Sequence, residues 1–191
     1  MKIKIGVSSR HIHLSKEDLY ALFGMNYELT KIKDLTQDNN YSCKETVDII
    51  NEDNIIKNVR VVGPVRNKTQ AEISKTDAYK LNLNPLVRNS GDLKDASLIK
   101  IKGPLGIIER KSCIIATRHI HISKKDAENI KCENGDRVRV RLFGEKGGII
   151  DNVYIKFSNT SNPELHLDLD DSNAHLVKNN DIAEIVEEYN E

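Results

Sequence analysis

The chain contains no tryptophan, and its three cysteines, Cys43, Cys113 and Cys132, are odd in number and form no CxxC spacing. That pattern excludes a disulfide framework and a cysteine-based zinc ribbon, and leaves the expectation of three reduced, buried thiols. The missing tryptophan accompanies an abundance of lysine, asparagine and isoleucine and is read as compositional bias. A surplus of charge is also lacking. With 29 Lys and Arg against 29 Asp and Glu, no global field draws the protein onto nucleic acid or an anionic membrane. A polyanionic ligand would have to be caught by a local cluster. No apolar run approaches the roughly 20 residues that span a bilayer, and the N-terminal MKIKIGVSSR has no apolar signal core. The expectation is a soluble, cytoplasmic protein with no membrane or nucleic-acid partner. No segment is low-complexity and no linker is obvious, and 191 residues suit one large domain or two small ones. The best candidate boundary is KGPLGIIERKS, residues 102–112.

What the chain does have is a repeated tetrapeptide. SSRHIHLS at 8–15 and ATRHIHIS at 116–123 together hold four of the six histidines. Around them lie short alternating or β-branched runs: KIKIGVS, ETVDII, IIKNVRVVG, QAEIS, SLIKI, GIIE, CIIAT, RVRVRLF, GGIIDNVYIKF, ELHLDL and IAEIVEE. Turn signals separate them at the spacing expected of small β-barrels or sandwiches. Helices are few and brief. SKEDLYALF and SKKDAENI follow the two RHIH copies and open on capping patterns, Ser15 with Asp18 and Ser123 with Asp126. KTDAYKL and DDSNAHLV supply two more.

The repeat extends beyond RHIH. The copies lie 108 positions apart, whereas IIKNVRV and IIDNVYI, and QAEIS and ELHLD, share an offset of 94. A 14-residue insertion within YELTKIKDLTQDNN reconciles the two values, and two related halves follow. On a strand, residues i and i+2 face the same way about 6.6 Å apart, so His11 with His13, and His119 with His121, can each aim two imidazoles at one ion. The aligned third ligands are Glu72 in the first half and His166 in the second. Each triad, His11–His13–Glu72 and His119–His121–His166, leaves a coordination position open for water or substrate, as catalytic zinc sites do. His175 fits no pattern and reads as a surface residue of a short helix.

In VRVVGPVRNKTQAEIS, Arg66 stands six residues before Glu72 across a polar turn with Lys68. Arginine's planar fork matches phosphate, and an arginine in a surface turn is the plainer alternative. LVRNSGDLKDAS, with Arg88, Ser90, Gly91 and Asp92, reads as a ligand loop or as a tight turn. Lys31, Lys33, Lys57 and Arg60 form a scattered basic set, suited to a solvated face or to a ligand with several phosphates.

GVSSRHIHLSKEDLYALFG, VRVVGPVRNKTQAEIS, RNSGDLKDAS, RHIHISKKDA, NGDRVRV and ELHLDLDDSNA, in that order, resemble the phosphate propanoyltransferases of the PduL type. The resemblance covers almost the whole chain. It implies interconversion of an acyl-CoA plus phosphate with an acyl phosphate plus CoA, and two zinc ions on the triads already nominated. It implies that Arg66 is the phosphate-binding, catalytic arginine, and that Ser8, Lys33, Arg60, His166 and Asn173 contact CoA. The implied fold is mainly β, two small barrels capped by short helices, with the N-terminal strand joining the C-terminal barrel. The corresponding domains are 9–24 plus 116–188 and 31–115, with the active site between them. A homo-oligomer is compatible with all of this. Family members packed into bacterial microcompartments usually carry an amphipathic N-terminal extension; only a few residues precede the first strand here, so a free cytoplasmic enzyme is expected. A binuclear zinc hydrolase and a noncatalytic metal-binding module are the rival readings. The amidohydrolase barrel that also uses HxH needs roughly 250 residues with helices between its strands, which this shorter, β-rich chain does not provide.

Overall fold

A computed structural model describes residues 1–36, 39–160 and 162–186. The elements run β1 (Lys2–Ser8), β2 (His11–His13), α1 (Lys16–Phe23), β3 (Lys31–Asp34), β4 (Tyr41–Asn51), β5 (Asn54–Gly63), β6 (Gln70–Glu72), α2 (Lys75–Lys80) and β7 (Val87–Arg88). They continue as β8 (Ser97–Lys102), β9 (Ile107–Ala116), β10 (His119–Ile122), α3 (Lys124–Asn129), β11 (Arg137–Leu142), β12 (Gly148–Phe157), β13 (Glu164–Asp168), α4 (Leu169–His175) and β14 (Ile182–Val186). Within the expected insertion YELTKIKDLTQDNN, Gln37 and Asp38 lie outside the described residues, as do Glu187 and Glu188 at the end of the expected C-terminal domain.

The chain divides into two units, Met1–Ser8 with residues from Thr117 on, and Ser9–Ala116. The first is a closed barrel of order β1-β13-β10-β12-β11-β14. The second closes as β4-β5-β2-β6-β9-β8, because β8 pairs with both β4 and β9, and it carries β3 and β7 at its margins. The two rings are the same circuit. In both, the HxH strand runs parallel to one neighbour (β5 or β12) and antiparallel to the other (β6 or β13). Asn58 and Asn152, which occupy one position of the 94-residue repeat, share the same left-handed φ of 57°. The extra strand β3 falls within the segment expected to hold the insertion.

The alternation read from the sequence is the alternation of the barrel wall. RVRVRL of β11 and LIKIK of β8 bury every second residue. In HIH and HIHI the isoleucine between the histidines, Ile12 or Ile120, is fully buried in its unit's own core. All four expected helices are present, and each begins with a side-chain cap: Ser15, Ser74, Ser123 and Asp168 accept from the backbone N–H three residues on, at 2.8–3.2 Å. The capping boxes are only half formed. Asp18 accepts instead from Thr69 and from Arg110 (2.6 and 3.2 Å), and Asp126 accepts from the Ser123 hydroxyl (2.7 Å).

Three expectations are corrected. Residues 9–24 do not join the C-terminal barrel: β2 bonds to β5 and β6, both from its own half. The strand that crosses is β1, which runs parallel to β13 and antiparallel to β14. Its repeat counterpart β9 crosses the other way, ahead of β10, and completes the barrel that contains β2. Each strand that precedes an RHIH copy therefore serves the barrel of the other copy, and the chain changes unit between Ser8 and Ser9 and between Ala116 and Thr117. KGPLGIIERKS, second, is no boundary. It is the β8–β9 hairpin, closed by Gly103 N–H to Gly106 O at 2.9 Å, and GIIE and CIIAT are parts of one strand. The end of α1 lies so close that a Cβ on Gly103 would come within 2.6 Å of the Leu22 carbonyl. Third, Cys132 is only half-buried. Cys43 and Cys113 are buried as expected, and burial pushes their thiols up to about 11 and about 12.

Because Ile5 is fully buried in a strand donated across the chain, Ile5→Ala should destabilise the C-terminal barrel by about 2–5 kcal/mol. Urea unfolding, followed by hydrogen exchange of β10–β14 amides, reads this directly, with the barrel of residues 9–116 unfolding at its original midpoint.

Candidate metal centres

In the Ser9–Ala116 unit, the antiparallel pairing of β2 with β6 sets His11 opposite Glu72 and His13 opposite Gln70. In the other unit, β10 and β13 set His119 opposite His166 and His121 opposite Glu164. Each HxH strand thus brings two imidazoles to the same face as the third residue of its triad. The donor atoms of His11, His13 and Glu72 lie within 4.8 Å of one another, as do those of His119, His121 and His166. These are the two triads read from the repeat.

The spacing suits an ion. Two nitrogens about 2.0–2.1 Å from one tetrahedral zinc are roughly 3.3 Å apart; His119 Nε2 and His121 Nε2 are 3.1 Å apart, and His11 Nε2 and Glu72 Oε2 are 3.6 Å apart. The opposite ring nitrogens are anchored to the backbone: His11 Nδ1 to Ser9 O (2.9 Å), His13 Nδ1 to Val62 O (2.9 Å) and His119 Nδ1 to Thr117 O (2.8 Å). A backbone carbonyl accepts the Nδ1 proton and leaves Nε2 its lone pair, the arrangement by which outer partners orient ligating histidines. Burial, reinforced by His11 and Arg66, lowers His13 to about 3, so the ring stays neutral, as ligation requires. The donor sets fit a divalent transition metal.

Arg66 belongs to the same neighbourhood. Its N–H donates to Leu14 O at 2.9 Å and it bridges Ser15, directly after the His11–His13 strand. Burial lowers its pKa, while the Glu72 carboxylate raises it. A half-buried guanidinium held beside the His11–His13–Glu72 triad is a fork available to an anion.

The CoA-contact candidates divide between the units. Lys33 pairs with Ser42 of β4, and the Arg60 guanidinium lies over the Cys43 and Lys44 carbonyls (3.0 and 2.8 Å), so these two gather at one end of β4. Ser8 pairs with Asp168 and Gly6 with His166 along β1 and β13, while Asn173 is exposed on α4, immediately beyond β13. Lys31 pairs with Asp34 at 2.5 Å, and Lys57 and Lys68 are exposed. His175 ends α4, half-buried, with Nδ1 3.0 Å from Lys146 O.

Sequence reasoning missed the residues that hold the triads in place. The arginine of each RHIH grips an aspartate at the third position of the helix after the third-ligand strand. Arg118 forks onto Asp171 (2.6 and 2.9 Å), and Arg10 reaches Asp77 (3.0 and 3.3 Å). Both arginines directly precede a triad histidine, and both aspartates lie five residues after the third ligand. The repeated R was the available signal. The loop RNSGDLKDAS braces Gln70, whose Nε2 donates to Ser90 Oγ (2.9 Å) and whose Oε1 accepts from the Gly91 N–H (2.7 Å).

A profile of the phosphate propanoyltransferase family matches residues 4–178. The chain belongs to that family. Among its relatives, the phosphate propanoyltransferase of Thermotoga maritima is 48% identical over 97% of this chain and 89% of the relative. That of Clostridioides difficile is 41% identical over 96% and 88%, and that of Priestia megaterium 43% over 94% and 83%. Family membership makes the chain an acyltransferase, and the resemblance read from RHIH onward is the one the family profile covers. No helix among the described residues is long and apolar enough to cross a membrane.

If both triads hold metal, elemental analysis of the purified protein should find two transition-metal ions per chain. His11→Ala and His119→Ala should each remove one of the two.

Proposed function

We propose that the protein interconverts a short-chain acyl-CoA, acetyl or propanoyl, plus phosphate with the acyl phosphate plus CoA, by direct transfer with the help of two zinc ions, one on each triad. The observation that carries the reading is the pair of triads, each built by the same strand register within a chain of this family. Zinc on the triads would supply Lewis-acid polarisation of the thioester carbonyl and a soft partner for the departing thiolate.

The protein's own residues bind and orient. Arg66 holds phosphate by its two-pronged guanidinium, so that one phosphate oxygen faces the thioester carbon. A phosphate O–C bond forms, the C–S bond breaks, and CoA leaves as the thiolate. Lys33 and Arg60 suit the CoA phosphates, with Ser8, His166 and Asn173 as further contacts. No covalent acyl-enzyme is required, and the buried Cys43 and Cys113, with thiols raised to about 11 and about 12, are unsuited to one. A homo-oligomer is compatible with the mechanism.

Thiol release from acetyl-CoA and propanoyl-CoA should require phosphate and disappear on chelation. Equal release without phosphate would identify a hydrolase; bound zinc with no turnover would identify a noncatalytic module. Arg66→Ala should lower kcat/KM by about 100-fold or more, chiefly through the KM for phosphate, and Arg66→Lys should restore only part because an ammonium has no fork. Radiolabelled acyl groups remaining on the protein after CoA is removed would overturn direct transfer.

A further inference from the structure

The two triads are made of different residues, and the residue two positions before each third ligand differs in the opposite sense. On β6 the third ligand is the carboxylate Glu72, and the neutral amide Gln70 donates to its Oε1 at 2.6 Å. On β13 the third ligand is the neutral imidazole His166, and the carboxylate Glu164 places Oε2 2.7 Å from its Nε2. The positions are equivalent: Gln70 faces His13 as Glu164 faces His121, and Glu72 faces His11 as His166 faces His119. Each centre therefore contains one carboxylate within this set, as the ligand in one and as the ligand's neighbour in the other.

The fold makes room for Glu164. Opposite His166 on the parallel neighbour β1 stands Gly6, where a Cβ would lie 2.9 Å from Glu164 Cδ. The corresponding position opposite Glu72 is Ile114, in the barrel where Gln70 stands in the place of Glu164. Glu164 is 8% exposed, and a buried carboxylate is costly unless a cation lies close. A divalent ion on the adjacent triad is such a cation.

We propose that Glu164 is the anionic member of the His119–His121–His166 centre. It accepts the proton of His166 Nε2, which leaves Nδ1 as the nitrogen of that ring with a lone pair for the metal, and it supplies the one negative charge that Glu72 supplies to the other centre, so that both hold a divalent ion with similar strength. The inference rests on the reading that the triads bind metal. Outer partners of ligating histidines are worth about 10- to 100-fold in metal affinity.

The test is competition for Zn2+ between the full-length protein and a chromogenic chelator, with unfolding of the metal-free protein as the control for folding. Wild type should hold two ions. Glu164→Gln should loosen one of them by about 10- to 100-fold and leave the ion that depends on His11 untouched. The double variant E164Q/H166E recreates on β13 the Gln–x–Glu of β6 and should regain affinity to within about threefold of wild type. Gly6→Ala, which displaces the carboxylate without altering a ligand, should loosen the same ion. Unchanged affinity in Glu164→Gln overturns the proposal, as does a folded E164Q/H166E that still holds only one ion tightly. Should Glu164→Gln fail to fold, the double variant and Gly6→Ala decide by the same criteria. If wild type takes up no Zn2+ at either triad, the metal reading itself falls, and this inference with it.

Discussion

The strand register beside each HxH is the constraint on which the structure depends. Two histidines on alternate positions of one strand face the same way, but they gain a third donor only if the antiparallel neighbour is set so that its polar residue stands opposite. His11 stands opposite Glu72, and His119 opposite His166. A slip of one residue would turn Glu72 or His166 to the other face and bring Ala71 or Leu165 into its place. The buried isoleucine between the histidines fixes the register from the other side, because Ile12 and Ile120 must enter their barrel cores.

Around that register the fold adds layers of restraint. Backbone carbonyls orient the imidazoles, Gln70 or Glu164 contacts the third ligand, and the RHIH arginine ties the ligand strand's following helix to the residue before the first histidine. Such supports matter because site geometry must hold within about half an ångström to be productive. The same scheme appears in both barrels with different residues, which separates what the scheme needs from what one copy happens to use. A carboxylate is present in both centres, while its position on the strand is not fixed.

The reciprocal exchange of β1 and β9 gives the duplication a consequence that two independent barrels would lack. Neither barrel closes from its own repeat. Each needs the strand that precedes the other RHIH copy, and the chain passes from one unit to the other only a few residues before a triad histidine.

The alternation of the barrel strands, four short helices with the caps of two of them, the duplication and both candidate triads were legible in the sequence, since these follow from local periodicity and from like residues at one shared offset. Tertiary structure alone decided which strands close which barrel. β1 and β2 are both short, β-forming and adjacent, and nothing local says that the first pairs with β13 and the second with β6. It also decided that GPLG is a hairpin under α1, because that depends on contact with a distant carbonyl. The pairs around the candidate ligands, Arg118 with Asp171 and Glu164 with His166, stood in plain view as polar residues. Their roles became visible only once the pairing of distant strands and helices had set them side by side, because a hydrogen bond depends on distance in space, for which separation along the chain is no guide.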